Sequence, residues 1–219
     1  MTKTGEAARP QLDDSAESMM DWVRTHSRQV GIGAIVVAVA VAGAWLVSSS
    51  NAKKAESAGR ALSEAQRSVA SGNLPLAAAD LSKIVQRYGS TPSGVQARLL
   101  LAQVYLQQGK VAEALKELDE VGSAGPQQSS LHALRGGALE QSGKPLEAAA
   151  EYLKAADATQ LPSERESFKS DAARAYAMGG KTDEALKIWT AIAENPASAL
   201  NAEAKLRVGE LSAVPVAQK

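Results

Sequence analysis

Gly180-Lys181-Thr182-Asp183-Glu184-Ala185 and Gly109-Lys110-Val111-Ala112-Glu113-Ala114 are two copies of one pattern, and their spacing decides the fold. The same glycine recurs at Gly72 and Gly143, so the four stand 37, 34 and 37 residues apart. Five positions after each comes an alanine: Ala77, Ala114, Ala148 and Ala185. Four further on stand Leu81, Leu118, Tyr152 and Trp189, and three beyond those Ile84, Val121, Ala155 and Ile192. Seven positions before each glycine the residue is always small: Ala65, Ala102, Gly136, Ala173. Four before it stand Ser68, Tyr105, Leu139 and Tyr176. Pro92, Pro126, Pro162 and Pro196, 34, 36 and 34 residues apart, repeat the period independently. A period of this length is the mark of a stacked array of helix hairpins.

Each position has a physical job. The small residue upstream and the alanine downstream sit where helix A and helix B of one hairpin cross, because a larger side chain would hold them apart. Glycine between them lets the chain leave helix A through a left-handed turn without a Cβ penalty. The large residues on helix B fill the space against the next hairpin, and the prolines fall near the ends of the B helices, where a helix must stop. The pattern resembles the tetratricopeptide repeat (TPR) family, best over Val95–Ala197; in repeat one Ser68 replaces the usual aromatic. The amphipathic segment Ala199–Leu211 is expected to be the terminal helix that a solenoid needs. The expected fold is all-α: one N-terminal transmembrane helix, then an α-solenoid of about four TPR hairpins over residues 58–212 and a capping helix, with a tail over 213–219.

Composition agrees. Of 219 residues 45% are hydrophobic but only 4% aromatic, and alanine and leucine dominate. Such usage favours closely packed helices over sheets. Twenty-four basic residues balance 24 acidic ones, which leaves no basic excess for a nucleic-acid partner. There is no cysteine and there are only two histidines, so disulfides, zinc–thiolate sites, a lipid-bearing cysteine and cysteine nucleophiles are excluded.

Val30–Val47 reads VGIGAIVVAVAVAGAWLV, uncharged and apolar or small throughout. At 1.5 Å per residue it covers about 27 Å, close to a hydrocarbon core of about 30 Å. Trp22 and Trp45 lie near its ends, as interfacial aromatics do. Residues 1–29 are expected to form a polar tail and juxtamembrane segment, 30–47 the membrane helix and 48–57 a linker. A cleavable signal peptide with Ser50-Asn51-Ala52 as its small-x-small site is the alternative, although the apolar run is long for one. Arg24 and Arg28 on one side are matched by Lys53, Lys54 and Arg60 on the other, so the positive-inside rule favours neither orientation.

No GxxxxGK[ST], GxSxG or HExxH occurs. His26 lies beside the membrane segment, and His132 has no second histidine near it in sequence. Glu147 and Glu151 share a helix face with Lys154 in reach. No catalytic, cofactor-binding or metal-binding residue is expected, and no enzyme. Stacked A helices instead line a groove, whose residues follow from the repeat frame: Gln96, Leu99, Gln103 and Leu106 in repeat two; Ser130, Ala133, Gly137 and Glu140 in repeat three; Ser167, Ser170, Arg174 and Ala177 in repeat four. This lining is mild, small and polar, and it suits extended protein clients better than one charged peptide end.

In layout, and in the stretch Asp21–Gly59, the chain resembles the YfgM-like family, the ancillary subunit of the SecYEG translocon. The resemblance implies a bacterial inner-membrane protein with a cytoplasmic N-terminus and a periplasmic TPR domain. It implies as partners the translocon subunits, periplasmic chaperones and exported clients, with no cofactor, nucleic acid or small-molecule substrate. A secreted soluble TPR scaffold coordinating cell division or envelope assembly is the alternative, and it requires cleavage after Ala52.

Overall fold

The computed structural model describes residue 19 and residues 22–213. Of the expected tails over 1–29 and 213–219, residues 1–18, 20–21 and 214–219 lie outside the described residues. Among the described residues all regular structure is helical: α1 (Ser27–Ala70), α2 (Leu74–Tyr88), α3 (Pro92–Gln107), α4 (Val111–Asp119), a 3-10 turn (Gly125–Gln127), α5 (Gln128–Gln141), α6 (Pro145–Ala158), α7 (Pro162–Met178), α8 (Thr182–Ala193) and α9 (Asn201–Ser212).

The chain divides into two units, Met1–Lys53 and Lys54–Lys219. In the first, α1 carries a stretch that is long and apolar enough to cross a membrane, and none of it is buried. Ile35, Val37, Val39, Val41 and Trp45 are each more than 60% exposed. Just before it Trp22 and His26 stack at 5.0 Å between ring centroids. Ser48–Ser57, expected as a linker, is helical and part of α1. It contains neither glycine nor proline and includes Ala52, Lys53, Lys54, Ala55 and Glu56, all good helix formers, so nothing in it stops the helix.

The second unit is the repeat array. Ala58, Leu62 and Ala65 near the end of α1 are buried, so this part of α1 serves as helix A of hairpin one. The hairpins are α1 end/α2, α3/α4, α5/α6 and α7/α8, and α9 closes the array against Trp189 and Ile192. All four repeat glycines have positive φ: Gly72 +74°, Gly109 +73°, Gly143 +74° and Gly180 +75°. Each makes the same pair of bonds. The glycine N–H donates three residues back, and the following N–H donates five back, to the carbonyls of Ser68, Tyr105, Leu139 and Tyr176 at 2.8–3.1 Å. That is a Schellman turn, which satisfies carbonyls the helix end leaves free. The residue four before each glycine therefore has a backbone task, which explains why Ser68 serves in repeat one.

The alanines five after each glycine are fully buried, as are Leu81 and Leu118; Trp189 is 1% exposed and Tyr152 8%. Pro196 follows the end of a B helix, as expected, but two of the prolines act differently. Pro92 and Pro162 are the first residues of α3 and α7, where the fixed φ suits the first turn and no N–H is missed. They start the next A helix rather than end the previous B helix.

Candidate protein-binding groove

The A helices put one stripe of side chains in line, and the structure divides that stripe into separate environments. Gln96 and Gln103 on α3 and Ser130 on α5 line a cleft of about 210 Å³ together with Gln66 and Gln127. Its floor is Leu99, Leu100 and Leu134, and no charged side chain lines it. Each glutamine amide offers donors and an acceptor, the two things an extended main chain needs. Gln66 and Gln127 escaped the sequence reading. Gln66 lies six before its repeat glycine, as Gln103 does, and the same frame carried into repeat one would have found it.

Leu99 is only 5% exposed and belongs to the core with Ala102, Leu118 and Leu131. Ser170 is 7% exposed, and its hydroxyl donates to the Ser167 carbonyl at 2.8 Å. Leu99 thus serves core and cleft at once, and the Ser170 hydroxyl is taken up within its own helix. Leu106 and Ala133 are half-buried, Leu106 against the same core.

Further along, Arg174 and Ala177 line a second cavity of about 260 Å³ with Met178, Arg207, Glu210 and Trp189. Arg174 is bonded to Asp171, and Arg207 to Glu210 at 3.0 Å. Burial pushes the Asp171 carboxyl up from its ordinary range, against the opposing pull of Arg174. Ser167 lies apart from both, in a cavity of about 370 Å³ with Glu166 and Asn195. Between the two halves, Glu140 accepts a hydrogen bond from the Tyr152 hydroxyl at 2.9 Å. Burial, reinforced by that bond, pushes the Tyr152 hydroxyl well above its ordinary range. Gly137 stands 3.7 Å from the same hydroxyl, measured from where a Cβ would be. The groove is thus amide-lined from repeat one into repeat three, carries the Glu140 carboxylate at the end of repeat three, and is charged but internally paired in repeat four.

His132 has a structural partner. Its Nδ1 lies 2.7 Å from Glu151 Oε2 on α6, and the Gln128 amide lies 3.0 Å from Nε2. With Gln128 donating to Nε2, the proton sits on Nδ1 and is donated to Glu151. Burial pushes the Glu151 carboxyl up, but bonds from Lys154 and His132 outweigh it and hold it below the ordinary range. The dyad ties α5 to α6 and borders none of the cavities above. Among the described residues no group of three His, Cys, Asp or Glu side chains could hold a metal ion.

The tetratricopeptide repeat-like domain family matches residues 20–191 of the 219. This chain belongs to that family. No curated protein matches the sequence. Among solved structures, the TPR-like protein is similar to the nearly identical TPR-like repeats of a candidate kinesin light chain from Podosopora anserina, at 20% identity. The likeness has a TM-score of 0.59 and covers 69% of this chain and 83% of that one. A single-substitution variant of the same protein gives the same figures. At this identity the likeness bears on the fold, an array of TPR-like hairpins, and such arrays are protein-interaction scaffolds.

Proposed function

We propose that this TPR-like protein is a single-pass bacterial inner-membrane protein, with its N-terminus cytoplasmic and its repeats periplasmic, that assists the folding of exported proteins beside the translocon. One observation carries the reading. The apolar stretch of α1 is exposed at its described side chains, residues 32 and 35–46, in a chain whose family match runs through that stretch and on into the repeats. Each large apolar side chain removed from water there contributes about 1.5–3 kcal/mol. A row such as Ile35, Val36, Val37, Val39 and Val41 suits lipid far better than water. The amide-lined cleft of repeats one to three supports the second half of the proposal, since it favours extended, uncharged client segments over charged peptide ends.

Crosslinking in intact membranes tests it, followed by affinity purification of the full-length protein beside a version lacking Val30–Val47. Translocon subunits and periplasmic chaperones are expected with the full chain and lost without the stretch. Division or envelope-synthesis proteins recovered equally with both versions would instead support the secreted scaffold. Because the chain has no cysteine, Gly5→Cys and Ala150→Cys give a clean topology assay. Position 150, exposed on α6, should react with an impermeant reagent as soon as the outer membrane is opened, and position 5 only after the inner one is breached.

A further inference from the structure

Gln128, His132, Glu151 and Lys154 form one hydrogen-bonded chain that starts in the connection between hairpins two and three and ends on α6. The Ala124 N–H donates to Gln128 Oε1 at 3.4 Å, and the Gln128 amide nitrogen donates to His132 Nε2 at 3.0 Å. His132 Nδ1 donates to Glu151 Oε2 at 2.7 Å, and Lys154 closes the chain on Glu151 Oε1 at 2.6 Å. His132 stands eleven residues before Gly143, as Arg98 stands before Gly109, and each fills the slot between the two helices of its hairpin. Arg98 does so with a permanent charge, bonded to Glu117 at 2.9 Å and to Glu120. Of the two, the histidine alone changes its donors by taking up a proton.

That change has one place to go. A protonated imidazole carries a donor on each nitrogen. At Nδ1 nothing needs to move, because Glu151 already accepts there; burial opposes its charge, but its bonds to Lys154 and His132 hold its carboxyl below the ordinary range. At Nε2 the new N–H meets the NH2 of Gln128, donor against donor. Turning the Gln128 amide over supplies an acceptor, but its NH2 then faces the Ala124 N–H, which loses its bond. Ala124 is 3% exposed, and an unpaired N–H in such a place is costly. The other charged groups around α5 are engaged elsewhere. On α4, Glu117 and Glu120 are held by Arg98 and Asp119 by Arg135 at 3.2 Å; on α6, Glu147 pairs with Lys144 at 3.4 Å. Residues 122–127 carry no ionisable side chain.

The segment that loses this bond borders the cleft. The Gln127 N–H donates to the Ala124 carbonyl at 2.9 Å, so Ala124 anchors the Gly125–Gln127 turn, and Gln127 lines the cleft beside Gln66, Gln96 and Gln103. We propose that His132 is a proton-sensitive positioning residue: neutral, it holds that turn through Gln128; protonated, it releases the turn and weakens binding in the cleft. The inference rests on the reading of this cleft as the client site.

The test compares the full-length protein in detergent micelles with His132→Gln, whose amide oxygen stays an acceptor at every pH, and with Gln128→Glu. The carboxylate of the second variant accepts from the Ala124 N–H and from a protonated His132 at once. Hydrogen exchange is read by mass spectrometry at about pH 8 and about pH 5 and normalised to intrinsic rates. Residues 121–127 of the wild type should exchange at least about tenfold faster in acid, and both variants should keep their protection. Anisotropy of a rhodamine-labelled uncharged peptide, Thr-Leu-Ser-Thr-Leu-Ser, should show affinity falling at least about threefold in acid for the wild type and for neither variant. Equal wild-type protection at both pH values, or the same acid loss in the variants, overturns the inference. So does a loosened segment with unchanged peptide affinity. A peptide that binds at neither pH overturns the reading of the cleft instead, and exchange alone then decides the role of His132.

Discussion

Nine positions after its glycine, hairpin three carries Tyr152 and hairpin four carries Trp189, where hairpins one and two carry leucine. The two aromatics make room in different ways. A Cβ on Gly136, opposite Tyr152, would lie 2.7–3.0 Å from three ring atoms, so hairpin three gives up a side chain on helix A. Hairpin four keeps Ala173 and places Trp189 in the last core cluster, with Ile192 and with Ala204 of α9. Tyr152 sends its hydroxyl out to Glu140 on the groove, while Trp189 is 1% exposed. One register position thus links core to groove in hairpin three and serves as an end plug in hairpin four. A repeat fixes where large side chains go, and its neighbours fix what they can be.

Removing the plug should have the largest effect. Trp189→Ala is expected to cost about 3–5 kcal/mol, read as a lower midpoint in denaturant unfolding, because α9 loses the surface it packs on. Gly136→Ala should cost about 1–3 kcal/mol by overpacking against the Tyr152 ring. Adding Tyr152→Leu should recover part of that loss. If the double variant is no better than Gly136→Ala alone, the ring is not the obstacle. Gly180→Ala should cost about 1 kcal/mol, the ordinary penalty of a left-handed alanine, since open space surrounds the position and no clash adds to it.

The smallest effects separate the hairpins by the sign of their pH dependence. Glu151 in hairpin three is held below its ordinary range, so its contribution is present above the unfolded value and lost as pH falls through the lowered folded value. Asp171 in hairpin four is raised, so it favours the fold below the unfolded value, and that support is lost as pH rises through the raised folded value. Thermal melts of Glu151→Gln should therefore show a smaller loss of stability on acidification than wild type. Asp171→Asn should melt higher than wild type at neutral pH and close to it in acid. Matching pH profiles for the two variants would contradict the contrast.

Much of this architecture was readable from residues. A left-handed turn favours glycine through its positive φ, and a close helix crossing demands alanine, so Gly109 and Ala114 announce themselves at fixed spacing. Pro92 was harder to place, because proline both ends one helix and begins another, and only the hydrogen bonds say which. The groove was half legible. Gln96, Leu99, Gln103 and Ser130, which the frame names, line one cleft, whereas Gln66 and Gln127 on that cleft lie outside the positions it names. The bridges of Arg98 and His132 were missed because their members are 19 or 22 residues apart and differ chemically between repeats. A slot kept in place but not in residue type leaves no mark on a pattern of alanines and glycines.

The Schellman turns have a kinetic consequence. From α2 onward nearly every helix packs against the ones next to it in sequence, and each hairpin is closed by bonds spanning at most five residues. Little loop entropy has to be surrendered before contacts form, so the array should assemble as a zipper, one hairpin templating the next. Amide hydrogen exchange should then report a gradient along the chain, with protection lowest in α9, which has a neighbour on one side only, and highest in α5 and α6 at the centre.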